Sequence, residues 1–195
     1  KIFNYYPSDP KKPDPDIEKK IFFHSLLIPA AFVAVFWIIK IFELTTSKSF
    51  ARLGIFPLHP EGLKGIIFSP FLHSDINHLI SNSIPFFILF FASSNITGKF
   101  HTRFFLYYIF YPDLPSGCGA AIRHIGASGI IYALAAFHFV SGIIRNDVRL
   151  LTISVVVVFL YGGLIWGIFP IDPRISWEGH LWGAVAGIVM AFYFS

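Results

Sequence analysis

Charge is scarce in this chain of 195 residues. Asp, Glu, Lys and Arg together make up 13%, roughly half the share usual in soluble domains. Cysteine is nearly absent too, and the lone Cys118 excludes both an intrachain disulfide framework and a cysteine-based zinc cluster. Acidic residues are missing from the apolar runs except for Asp113, which leaves little with which to couple an ion and argues against a transporter or channel. The Lys and Arg excess gives a net charge of +4 but forms no basic stripe, so nucleic acid is not an expected partner. What the chain has instead is apolar surface. Hydrophobic residues reach 55%, with 24 Phe, and the mean hydropathy is +0.66. That composition belongs to an integral membrane protein whose solvent is the lipid bilayer.

The order of segments follows from the same contrast. Residues Lys1 to Lys20 are polar, charged and rich in proline, which predicts a tail or linker ahead of a membrane domain over 21–195. The chain opens on Lys1, not Met, and the expectation is that an upstream segment has been removed. The first apolar run lacks a small-residue cleavage site and does not read as a secretory leader. Six spans are expected: Ile21 to Phe42, Ile76 to Ser94, Thr102 to Ala121, Gly126 to Ile144, Leu150 to Phe169 and Gly179 to Tyr193. Pro112, Asp113 and Pro115 interrupt the third. Pro29 is expected to kink the first, and Lys40 to snorkel from its end toward water. Glu43 to Asp75 is too amphipathic for a linker and predicts a loop embedded at the membrane interface. An N-terminus in the cytoplasm places Lys1, Lys11, Lys12, Lys19, Lys20, Lys99, Arg103, Arg145 and Arg149 on that side. Five remain opposite: Lys48, Arg52, Lys64, Arg123 and Arg174. The positive-inside rule therefore favours that orientation.

Polar side chains inside such spans are costly, so each is a functional hypothesis. Three clusters stand out. His73, His78 and Asn82 lie at the start of the second span, with His78 and Asn82 one helical turn apart. Gly126-Ala127-Ser128-Gly129 opens the fourth, with Tyr132 one turn beyond Ser128. Gly179-His180 opens the last, where Gly179, Gly183 and Gly187 form a small-residue face that admits a close neighbour. Taken alone, each has an ordinary explanation in packing or in back-bonding to its own helix. That explanation is assigned to His24, His59, His101, His138, Ser25, Ser141 and Ser154. Together the clusters supply what a serine nucleophile needs: space around Ser128, a base in His180, and donors for a developing oxyanion in His78, Asn82 and the Ser128 main-chain N–H. No carboxylate lies in the spans that carry Ser128 and His180, so the arrangement would be a dyad and not a triad.

In this order and on these spans, the motifs His73-xxxx-His78-xxx-Asn82, Gly126-Ala127-Ser128-Gly129 and Gly179-His180-xx-Gly183-xxx-Gly187 resemble the rhomboid family of intramembrane serine proteases. The resemblance runs from Ile21 to Ser195. It implies an all-α membrane protein, a six-transmembrane-helix bundle with a membrane-embedded first loop. It implies that Ser128 is the nucleophile, His180 the general base, and His78, Asn82 and the Ser128 N–H the oxyanion donors. Tyr132 matches an aromatic residue that stacks on the catalytic histidine, and His73 a histidine of structural role near the entrance. Pro170 to Glu178 matches the cap loop. The first loop lacks the Trp-Arg pair of many relatives, and the third span departs from their apolar helix.

The implied function is endoproteolysis of the transmembrane segments of other membrane proteins, with no metal or organic cofactor. A bacterial inner membrane is the expected location. The alternative is a catalytically silent relative that binds membrane clients; such proteins typically lack the serine or the histidine, and both are present here.

Overall fold

The computed structural model describes residues 15–56, 59–97, 124–161, 163–171 and 175–194. Among these the chain is all-helical, with five long helices: α1 (Pro15–Thr46), α2 (Ile76–Thr97), α3 (Ser128–Ile144), α4 (Val148–Leu160) and α5 (Trp177–Phe194). The expected third span, with Cys118, lies outside the described residues.

Local chemistry sets where these helices begin and end. Helix α1 starts at Pro15, ahead of the apolar run and inside the stretch expected as tail. Proline is preorganised for the first turn, and Asp16 and Glu18 suit the positive end of the helix dipole. The helix continues through Pro29. It reaches Thr46, so the first loop begins later than the Glu43 expected. The Thr45 and Thr46 hydroxyls bond back to the Ile41 and Phe42 carbonyls, and Ser47 turns left-handed at φ 53°.

Helix α2 is capped by Asp75, whose Oδ1 accepts from the His78 N–H at 2.9 Å while its carbonyl accepts from Leu79 N. The run expected as one span from Leu150 to Phe169 breaks instead at Tyr161. Gly162-Gly163 favours an ending there, and a separate turn follows at Gly163–Trp166.

At 1.5 Å per residue, α1 is about 48 Å long and α2 about 33 Å, against a hydrocarbon core of about 30 Å. These are the two described helices long and apolar enough to cross a membrane, while α3 and α4 are shorter apolar helices.

Helix α3 is the centre of the bundle. Six consecutive residues, Ile130 to Ala135, are buried, as expected of a helix surrounded on every face. It packs on α5, α4 and α2, and α1 packs on α2. Phe36, Leu79, Phe86, Leu89, Phe137 and Val157 fill the spaces between. The outward faces stay apolar: Phe23, Leu27, Ile38, Phe159 and Phe192 are all exposed. Water would penalise so much exposed hydrocarbon, and lipid does not.

The closest packing is between α3 and α5. A Cβ built on Gly183 would run into the Gly129 carbonyl, and one on Gly187 into the Ala133 carbonyl. The glycine face of α5 thus lets its backbone lie against that of α3. Gly183 meets Gly129, so His180, almost one turn earlier on α5, comes beside Ser128.

Candidate active site

Ser128 is the first residue of α3. As an N-terminal helical residue, it has a main-chain N–H with no carbonyl one turn back to engage. The chain reaches it through Gly126 at φ +113°, a conformation that side-chain-bearing residues rarely adopt. The approach is anchored to the first loop. The Gly126 N–H donates to the Ser69 carbonyl at 2.8 Å, and Ile55 and His124 form an antiparallel bridge with bonds of 3.0 and 2.8 Å.

The Ser128 Oγ lies 2.7 Å from His180 Nε2. On the far side of the ring, Nδ1 is 2.9 Å from the Gly167 carbonyl. A carbonyl only accepts, so the proton sits on Nδ1 and Nε2 presents a lone pair to the serine hydroxyl. The orienting group that a triad takes from a carboxylate is here a main-chain oxygen. Tyr132 lies nearly parallel to the imidazole, with centroids 4.3 Å apart and planes at 16°, and restrains its rotation. Ser128, His180 and Tyr132, expected together from sequence, are together.

His78 and Asn82 border Gly126. A Cβ on Gly126 would sit 2.7 Å from His78 Nε2 and 3.8 Å from Asn82 Oδ1. The Asn82 Nδ2 donates to the His78 carbonyl at 2.8 Å, and its Oδ1 is buried without a partner. His78 Nδ1 faces Ser74, 3.1 Å from its Oγ and 3.4 Å from its N. Donation toward Gly126 requires a proton on Nε2, the tautomer in which Nδ1 accepts from the Ser74 N–H, since the Ser74 hydroxyl gives its one hydrogen to Asp75 Oδ2.

His73 does not join this group through hydrogen bonds. Both of its ring nitrogens are buried with no partner in good hydrogen-bond geometry, the Phe71 main chain being only a weak neighbour, and the ring packs at 5.1 Å on Phe36 and 5.2 Å on His78. Burial first, and the neighbouring charge of His78 next, push its pKa down to about 3, so it is neutral at ordinary pH.

Some residues at the site carried no signal in sequence. Gly167 contributes only a carbonyl. His124 bonds through Nδ1 to the Ser176 hydroxyl, linking the segment before α3 to the one before α5. Lys40 does not snorkel. It is buried, donating to Glu43 Oε2 at 3.0 Å and to the His73 and Ser74 carbonyls at 2.9 Å each. Those carbonyls lie just ahead of the α2 cap, and they hold the ammonium inside. His138, expected as a packing residue, is fully buried with Nε2 2.7 Å from Ser93 Oγ, a tie between α3 and α2. Among the described residues, no cluster of three His, Cys, Asp or Glu side chains is placed to hold a metal ion.

A sequence model of the Rhomboid domain matches residues 60–195, and the chain belongs to the rhomboid family, whose members are embedded in membranes. An uncharacterized protein of Mycobacterium tuberculosis is 35% identical over 176 residues, covering 84% of this chain and 72% of its own. An uncharacterized protein of Mycobacterium leprae is 33% identical over 175 residues, with 84% and 69% covered. A protein of Acanthamoeba polyphaga mimivirus that carries the rhomboid name is 29% identical over 156 residues, with 74% and 82% covered. The family includes active proteases and inactive homologues.

Proposed function

We propose that the protein is an intramembrane serine endopeptidase that cleaves transmembrane segments of other membrane proteins. The observation that carries this reading is the 2.7 Å contact between Ser128 Oγ and a His180 ring fixed by the Gly167 carbonyl. Serine is a weak nucleophile unless a base stands within hydrogen-bond reach, and that is the arrangement here.

His180 Nε2 takes the Ser128 proton as Oγ attacks the scissile carbonyl. The resulting imidazolium keeps its Nδ1–H on Gly167 and its face against Tyr132, where ring and cation attract. The oxyanion is received by the Ser128 N–H, with the His78 Nε2–H and the second Nδ2–H of Asn82, the first being held by the His78 carbonyl, as further donors. His180 then returns the proton to the leaving amine, and water hydrolyses the acyl-enzyme by the reverse path. The substrate helix must unwind locally, because a carbonyl bonded within a helix is not open to attack. Polar His78, Asn82 and His180 provide a place where water is tolerated below the membrane surface.

The chain is read as a multi-pass protein of a bacterial inner membrane with its N-terminus in the cytoplasm. The membrane domain includes α1, whose packing on α2 supports counting the chain from residue 21 as one unit.

The test is incubation of the purified chain in detergent with a transmembrane reporter. Cleavage is expected, and Ser128→Ala is expected to lower turnover at least about 10³-fold while leaving the fold intact. Equal cleavage by Ser128→Ala would end the assignment. A folded wild-type chain that binds the reporter without cutting it would favour the client-binding alternative.

A further inference from the structure

We propose that Lys40, braced by Glu43, is a positioning residue for the oxyanion side of the site, a claim that rests on the protease reading above. Lys40 is 7% exposed, and each of its three N–H donors has an acceptor: Glu43 Oε2, the His73 carbonyl and the Ser74 carbonyl. Glu43 is equally engaged, its Oε1 accepting from the Phe50 N–H at 2.7 Å. The pair therefore joins three pieces of chain: the end of α1, the first loop, and the two residues ahead of Asp75.

A buried ion pair is an expensive way to stabilise a fold, since apolar residues of similar volume often do as well. What this pair adds is position. Ser74, whose carbonyl Lys40 holds, is also the residue that contacts His78 Nδ1 through its hydroxyl and its N–H. Its hydroxyl bonds at 2.7 Å to Asp75, which in turn caps the helix at the His78 N–H. Lys40 thus acts on His78 through Ser74, fixing both the ring and the start of the helix that carries Asn82. Displacement of such a group by about 1 Å costs on the order of 10²-fold in rate.

The experiment is a double-mutant cycle on the full chain in detergent, reading kcat and KM on a transmembrane reporter together with thermal unfolding. Lys40→Met is expected to lower kcat about 10-fold or more with KM within about twofold. In a His78→Ala background, the same substitution is expected to cause no further loss, because the group it positions is gone. Wild-type kcat in Lys40→Met, or the same fold-loss with and without His78, overturns the proposal and leaves the pair a purely structural brace. If Lys40→Met does not accumulate as folded protein, Lys40→Gln, which keeps an N–H donor without the charge, is taken through the same cycle. A wild-type chain that neither cleaves the reporter nor reacts with a serine-directed fluorophosphonate defeats the protease reading itself, and the positioning claim falls with it.

Discussion

At the scale of single residues, the site depends on atoms with different degrees of visibility in the sequence. Ser128, His180, His78 and Asn82 were conspicuous as candidates because polar side chains are costly inside an apolar run, whereas the stacking of Tyr132 on His180 was expected only from the family resemblance. Gly167 was not conspicuous, because it acts through a carbonyl that every residue possesses. Lys40 was misread for a different reason. A lysine near the end of an apolar helix ordinarily reaches for water, and only the fold reveals two loop carbonyls close enough to hold it.

Gly126 gives a residue-scale prediction. Its φ of +113° and its position against His78 Nε2 leave no place for a methyl group. Gly126→Ala is expected to cost about 1–3 kcal/mol in backbone strain and to lower reporter turnover by displacing His78. Thermal unfolding and kinetics read the two effects separately, and an unchanged Tm with unchanged kcat would contradict both.

Asp75 gives a second. Hydrogen bonds from the His78 N–H and the Ser74 hydroxyl hold its carboxyl below the usual carboxylate pKa. Its contribution is therefore present above the unfolded-state pKa of about 4 and is lost as pH falls through the depressed folded value. Asp75→Ala is expected to cost about 1 kcal/mol near pH 7, as for a lost helix cap, and the difference in Tm from wild type should shrink as pH falls below about 4. A difference independent of pH would remove the charged cap from the account.

At the scale of elements, apolar runs of spanning length located most helices, while their ends depended on details that hydropathy does not weigh. Proline and two acids extended α1 back to Pro15. Two threonines extended it forward to Thr46, and Gly162-Gly163 favoured ending α4 early. The pairing of α3 with α5 was legible in the glycine spacing of α5, because repeated small residues leave room for another backbone. Which carbonyls fill that room was not legible. Gly187→Val is expected to destabilise the bundle by about 1–3 kcal/mol or more, since its Cβ would meet the Ala133 carbonyl and main chain yields less readily than a side chain. A wild-type Tm for that variant would show that α3 and α5 are not packed through this face.

At the scale of the whole molecule, the bundle exposes apolar surface outward and brings the polar residues of the candidate site together inside, near the starts of α2, α3 and α5, while His138 and Ser93 pair further along α3 and α2. Low charge and high hydropathy foretold the first property from composition alone. The second arises because the three helices carrying His78, Ser128 and His180 begin close together, tied by the first loop through Ser69 and Ile55 and by α1 through Lys40. No short motif encodes that convergence. The match over residues 60–195 gives the family, and the 2.7 Å contact between Ser128 Oγ and His180 Nε2 is the separate observation on which the proposed activity rests.

The most direct measurement of the central claim is covalent labelling of the folded chain by a fluorophosphonate, with the modified residue located by mass spectrometry. An activated hydroxyl at Ser128 predicts one adduct, on that serine, which disappears in His180→Ala although the hydroxyl is still present. An unlabelled wild-type chain, or an adduct on Ser128 that survives loss of His180, would contradict it.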